Sequence, residues 1–252
     1  MIIVRKSEER RYIEAKNQKT WMTFDWENES DPLQNGFGVL KILNEEILSP
    51  GSGFILHTPK DMVVVTYVTE GMIVYKGPFE KMKPLVAKEF HSAKTIPESE
   101  QSAVNISPTG ETHVFQSGFT PSDAISSPGG IKKLFTYAER NGILRLIASS
   151  DGKENSLALR QDIQIYSTFV HKGNHMIHEL SPGRSAWLHV VKGRIQMEEF
   201  QLTTGDGAGL SLEMAVSFTA LEPTEILLFD LGGPVAQEIK LKPQKEVMIS
   251  AV

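Results

Sequence analysis

At 252 residues the chain is long enough for two ordinary domains or one large β barrel or sandwich. With 40% hydrophobic and 23% charged residues it is neither disordered, collagen-like nor coiled coil, and a formal net charge of −5 excludes a global positive field for phosphate backbones. Zero cysteines exclude disulfides, thiolate zinc sites, iron–sulfur clusters and cysteine nucleophiles.

Val, Ile, Thr and aromatic residues come in short runs separated by Gly, Pro, Asn or Asp, which predicts strands. The amino terminus, Met1-Ile-Ile-Val-Arg-Lys, turns charged too early for a secretion signal. The Trp21, Phe24 and Trp26 cluster reads as packing. Strands follow at Gly38–Leu43, Met62–Val68 and Met72–Lys76. From Pro78 to Ser102 the chain reads as a solvated excursion. It holds Pro78, Pro84 and Pro97, which do not suit a central strand, and its lysines 81, 83, 88 and 94 are diluted by Glu80, Glu89, Glu98 and Glu100.

Further strands are expected at Val104–Ser107 and Thr112–Gly118, and then a Pro-, Ser- and Gly-rich stretch from Thr120 to Gly130 opens a domain junction expected near 120–142. Ile131, Leu134, Phe135 and Ala138 sit at helical spacing before Asn141-Gly142, which predicts a short helix there. Beyond it, strands are expected at Leu144–Ser149, Ile163–Val170, Trp187–Val191, Arg194–Phe200, Ala215–Ala220 and Glu225–Leu231. Gly205-Asp-Gly207-Ala-Gly209 lacks the spacing of a phosphate loop and reads as a tight turn. His171, His175 and His178 lie on strand-like sequence, so they do not share a face and read as surface or hydrogen-bonded residues. No G-x-S-x-G or H-E-x-x-H motif occurs. The longest apolar stretches fall far short of the ~20 residues that span a bilayer, so a cytoplasmic protein without a membrane partner is expected.

The two halves echo each other. Tyr67-Val-Thr-Glu-Gly71-Met-Ile-Val-Tyr75 aligns with His189-Val-Val-Lys-Gly193-Arg-Ile-Gln-Met197, and a histidine precedes each glycine, His57 by 14 residues and His178 by 15. A duplicated all-β architecture follows, with domains expected over 1–128 and 129–252.

The stretch Gly53-Phe-Ile-Leu-His57 through Gly71, with Pro108-Thr-Gly110-Glu-Thr-His113, resembles the two metal-site motifs of the cupin superfamily. Trp21-Met-Thr-Phe24, Asp31-Pro32, Gly36-Phe37, Lys60-Asp61-Met62 and Thr66-Tyr67-Val68 narrow the resemblance to the pirin family. In the second half Gln161-Asp162, His178, Trp187 to Gly193 and Leu227 to Leu231 continue it. The resemblance spans most of the chain outside the excursion. It implies a bicupin, two tandem jelly-roll barrels, whose first barrel binds a mononuclear metal, often iron, through His-x-His and His-x-Glu. It also implies either quercetin 2,3-dioxygenase activity or transcriptional co-regulation.

Carried over by position, His57 matches the first ligand and His113 the third. Pro59 replaces the second ligand, Phe115 replaces the carboxylate, and Val63 is apolar near the place of the cupin glutamate. Pro59 offers neither a side-chain donor atom nor a backbone N–H. Glu111 lies two residues before His113, on the same face of a regular strand, and is the expected substitute carboxylate; His91 in the excursion is a further substitute. The expected site is therefore a degenerate centre. Either His57, His113 and Glu111 hold a divalent metal, iron by resemblance, or no metal binds. In the second case a cavity containing the two histidines, Phe115 and Thr58 takes a small aromatic or polar ligand, or the protein acts through a protein partner. No nucleic-acid partner is expected. The second barrel, which has no Pro-x-Gly-x-x-His match, is expected to be structural.

Overall fold

The computed structural model describes residues 1–55, 62–76, 83–94, 102–120 and 130–233. In chain order the first half supplies β1 (Ile2–Arg5), β2 (Arg11–Ala15), β3 (Gln18–Met22), β4 (Leu40–Leu48), β5 (Gly53–Ile55), β6 (Val63–Glu70), β7 (Met72–Lys76), β8 (Leu85–Val86), β9 (Glu89–Lys94), β10 (Ser102–Asn105) and β11 (Thr112–Phe119). The rest of the chain supplies β12 (Ile131–Leu134), α1 (Tyr137–Arg140), β13 (Arg145–Ser149), β14 (Leu157–Ala158), β15 (Ile163–Val170), β16 (His175–Glu179), β17 (Ser185–Lys192), β18 (Arg194–Met197), β19 (Phe200–Thr203), β20 (Gly207–Ser211), β21 (Ala215–Ala220) and β22 (Thr224–Leu231).

These strands form two seven-stranded and two four-stranded sheets. The order β12-β9-β6-β11-β4-β3-β2 accompanies β5-β10-β7-β8, and β1-β20-β17-β22-β15-β13-β14 accompanies β16-β21-β18-β19. Side-chain alternation explains how the layers stack. Along β22, Ile226 and Leu228 join Leu188, Val216 and Phe218 in the core of the second half, whereas Leu227, Phe229 and Leu231 join a different core. That other core also takes Val65, Tyr67, Phe90, Phe115 and Phe119 from the first half. Val68 and Val114, from the opposite faces of β6 and β11, pack with Phe54, Ile73 and Tyr75 inside the first half. The large sheets therefore meet face to face, and β22 is buried on both sides.

The sheets trade strands across the expected 128/129 division. β1 pairs with β20, Ile2 opposite Leu210 and Arg5 opposite Gly207, so the first strand lies in the second half's sheet. Conversely β12 pairs with β9, Ile131 opposite Ser92. This pairing corrects the helix expected from Ile131. Residues Ile131–Leu134 are extended because β9 offers them a ladder, and the helix is confined to Tyr137–Arg140. Its start is fixed by a capping box, in which Thr136 Oγ1 accepts from Glu139 N while Glu139 accepts from Thr136 N at 2.7 Å.

The excursion is corrected as well. β9 lies within it and is an inner strand, paired with β6 on one side and β12 on the other. Its Phe90 and His91 are buried, with Phe90 stacked 4.0 Å from Tyr67. The expected strand Arg194–Phe200 is split into β18 and β19 by a hairpin turn. Trp26 departs from the expected packing and is 68% exposed, while Phe24 is buried edge-on against Trp187 at 5.0 Å.

The internal repeat is a structural duplication. Gly71 joins β6 to β7 and Gly193 joins β17 to β18, with φ of +79° and +102°. A Cβ at either would run into a threonine hydroxyl, Thr112 Oγ1 at 2.3 Å or Thr224 Oγ1 at 2.5 Å. Each hydroxyl is held at 3.1 Å by the residue after its glycine, Met72 N in one half and Arg194 N in the other. Thr112 begins β11 and Thr224 begins β22, so His113 and Glu225 are equivalent positions. Among the described residues no helix is long and apolar enough to cross a membrane.

Candidate functional site

The turn before β11 is built by two polar side chains. Asn105 Nδ2 donates to Gly110 O at 2.8 Å and Leu48 O at 2.9 Å, and Gly110 N donates to Ser107 Oγ at 2.9 Å. The chain then enters β11, whose register with β6 shifts between His113 and Val114. His113 and Phe115 fall on the face that meets the second half, with ring centroids 5.0 Å apart.

Glu45 of β4 lies directly opposite Phe115 on the neighbouring strand. His113 Nε2 lies 2.7 Å from Glu45 Oε1, and Glu45 Oε2 accepts from Arg10 Nη1 at 2.7 Å. Burial pushes the Glu45 carboxyl upward, but the His113 hydrogen bond and the Arg10 charge outweigh it and hold it down at about 2. An ionised Glu45 only accepts, so His113 donates to it from Nε2, which in the neutral ring leaves the lone pair on Nδ1. The Arg10 side chain is 2% exposed and that of His113 is 22% exposed, so the row runs from the interior to the surface.

A second buried cluster is the repeat equivalent of the first. Arg140, at the end of α1, donates to Tyr67 Oη at 2.9 Å, Ser167 Oγ at 2.9 Å and Glu225 Oε1 at 3.0 Å. Tyr67 Oη in turn donates to Glu225 Oε1. Glu225 corresponds to His113, and Ser167, opposite Leu227, corresponds to Glu45, opposite Phe115. Tyr67 and His189 both stand four residues before their turn glycine. Arg10 follows a single 3-10 turn at Ser7–Glu9 just as Arg140 closes α1. Each cluster reaches across the halves: Tyr67 meets Glu225, and His189 meets Phe115 edge-on at 5.6 Å.

His57, Thr58 and Pro59 lie outside the described residues. Glu111 precedes β11 and is exposed, and Glu45 is the carboxylate against His113. Phe115 is 2% exposed, and Val63 is buried in the same inter-sheet core. His91 is buried beside Tyr75, ring centroids 4.9 Å apart. His175 Nδ1 lies 2.9 Å from Thr219 Oγ1, and His178 Nε2 lies 2.8 Å from Asp230 Oδ2, in keeping with hydrogen-bonded histidines. Gly205 and Asp206 turn the chain between β19 and β20, where the Asp206 carboxylate accepts from Thr203 N at 2.8 Å and Ser7 N at 2.7 Å.

Neither Glu45 nor His189 was among the residues singled out by sequence. Glu45 is reached only through β-sheet register, and His189 stands in the sequence only as part of the repeat and of the Trp187 to Gly193 resemblance. Among the described residues no three His, Asp or Glu side chains form a metal-holding group. Among the described residues this site offers one imidazole and one carboxylate already tied to a guanidinium, fewer donors than a four-ligand centre uses.

Residues 146–231 match the family model of the quercetinase C-terminal cupin domain. The chain is 30% identical over 231 residues to a quercetin 2,3-dioxygenase of Escherichia coli K12, covering 92% of this chain and 99% of the relative. It is 26% identical over 208 residues to a pirin-like protein of Caulobacter vibrioides, covering 82% and 89%. The crystal structure of the bacterial pirin YhhW from Escherichia coli in complex with nickel(II) superimposes with a TM-score of 0.82 at 29% identity, covering 92% of this chain and 100% of that one.

Proposed function

The chain belongs to the pirin family of bicupins, and from that premise we propose that it binds a small hydroxylated aromatic ligand at His113 without a four-ligand metal centre. The observation that carries this reading is the pairing of Phe115 with Glu45. An apolar ring stands where the sequence resemblance puts the family's carboxylate, and the carboxylate opposite it is committed to His113 and Arg10. With Nε2 donating to Glu45, the neutral imidazole accepts at Nδ1, and a phenolic O–H is a donor of matching chemistry. The Phe115 ring beside His113 supplies an edge or face for an aromatic ligand. Quercetin, a polyphenol, is the natural probe because a 30% identical relative is named for it.

Quercetin added in excess chelator is expected to raise the melting temperature of the wild type and leave His113→Ala unchanged. Stabilisation that requires added metal would overturn the reading.

A second reading, a metal-dependent dioxygenase acting on quercetin, is favoured by the relative's name over nearly its whole length. It requires metal in the purified protein at near-stoichiometric amount and its loss in His113→Ala, both read by elemental analysis.

A further inference from the structure

β2 ends its seven-stranded sheet and pairs only with β3, from Arg11 opposite Met22 to Ala15 opposite Gln18, without a bulge. Arg11 is half-buried, and Tyr12, Ile13, Glu14 and Ala15 are all exposed. Tyr12 is 46% and Ile13 41% exposed. Side chains alternate along a strand, so these two project to opposite faces and no single layer of the molecule covers both. The outer edge of β2 is a row of backbone N–H and C=O groups against which no strand lies among the described residues.

Edges of this kind are ordinarily guarded by proline, a bulge or unpaired charge. β2 holds neither proline nor bulge, and its polar side chains are answered within the chain. Arg11 Nη1 donates to Asp25 Oδ1 at 3.1 Å and to Glu27 Oε2, and Tyr12 Oη donates to Glu14 Oε2 at 2.8 Å. The other five-residue edge, β16, differs because Met176 packs on the core of the second half and His178 is held by Asp230.

The strand is also self-complementary. A two-fold axis perpendicular to the sheet keeps each face on its own side, so two antiparallel β2 strands oppose only residues of the same face. With the axis at Ile13, that residue meets its own copy, Tyr12 meets Glu14 of the second copy, and Arg11 meets Ala15 of the second copy, which engages the whole strand. A phenol donates and a carboxylate accepts, so the contact made within one strand can also be made across the axis. An axis at Glu14 would instead set two carboxylates directly against each other.

We propose that β2 is a self-association edge: a second copy of this chain adds its own β2 antiparallel, with Ile13 on the two-fold axis, and the two seven-stranded sheets become one continuous sheet. A five-residue pairing is a small contact, so the dimer is weak and concentration-dependent. Trp21 lies opposite both Tyr12 and Glu45, so the pairing runs two strands away from Glu45.

Sedimentation equilibrium of the intact chain tests the proposal. The wild-type mass is expected to rise from 28.0 kDa towards twice that value as concentration increases from micromolar to millimolar. Ile13→Lys, which puts a charge on the axis, should raise the dissociation constant at least tenfold with an unchanged melting temperature, and Tyr12→Phe should raise it several-fold. The chain has no cysteine, so Ile13→Cys introduces a lone thiol at the axis, where it should oxidise to a covalent dimer. Ala15→Cys, which the axis sets against Arg11, should not. A wild type that stays monomeric up to millimolar concentration refutes the proposal and leaves the edge to a strand of another protein. A dimer that Ile13→Lys does not weaken, or one that Ala15→Cys cross-links as readily as Ile13→Cys, places the contact elsewhere and refutes it too.

Discussion

Tyr67 and His189 occupy the same position of a duplicated hairpin, each facing the opposite half of the molecule, yet only Tyr67 has its polar atom paired. The difference separates two roles for one architecture. At Tyr67, an arginine, a glutamate and a serine close the cluster into a latch between the halves. In the His189 cluster the glutamate stands on β4 as Glu45, bonded to His113, and neither nitrogen of the buried His189 ring has a hydrogen-bond partner.

The latch should behave as a buried ion pair. Arg140→Met leaves Glu225 buried without its cation and is expected to cost about 3–5 kcal/mol in urea denaturation. Adding Glu225→Gln should recover much of that loss, because the unpaired charge is removed. Tyr67→Phe, which keeps the ring stacked on Phe90, should cost only about 1 kcal/mol.

Stability should fall on acidification in two overlapping windows. His91 and His189 are held in the fold at about 4 and about 3 against an ordinary 6.5. The unfolded chain therefore takes up their protons first, and stability drops as pH falls from above 6.5 towards those values. Glu45, held at about 2 against 4.5, contributes stability that is lost as pH falls from 4.5 through 2. His189→Phe should flatten the upper window and Glu45→Gln the lower one, both followed by urea midpoints across pH.

Phe115→Glu places a carboxylate directly opposite Glu45 in a buried register pair. Like charges facing each other across strands repel, so the variant is expected to lose at least about 1 kcal/mol. Combined with Pro59→His it restores both replaced positions of the family motif. Nickel(II) should then stabilise the double variant far more than the wild type in thermal melts, and equal shifts would contradict the positional alignment.

The all-β duplication is legible because β6, β15, β17 and β22 are rich in apolar and β-branched residues and bounded by turn residues, and because the segments around Gly71 and Gly193 echo each other. The turn at Gly205 and the hydrogen-bonded roles of His175 and His178 were legible for similar local reasons. What could not be read locally depends on a partner strand. Ile131 and Leu134 satisfy helical spacing equally well, and only the ladder with β9 makes them extended. β9 itself is short and flanked by charge, so its inner position rests on β6 and β12 together. The site follows the same rule. His113 and Phe115 were visible as a motif, whereas Glu45 faces them only because β4 and β11 pair in one particular register.

The central claim is that ligand binding at His113 proceeds without a stoichiometric metal. The most direct test is calorimetric titration of quercetin into chelator-treated protein, with elemental analysis of the same sample and His113→Ala as the comparison. Saturable binding by the wild type at far less than one metal per chain, lost in the variant, is the predicted result. Binding that disappears with the chelator and returns with one equivalent of a divalent metal would contradict the account.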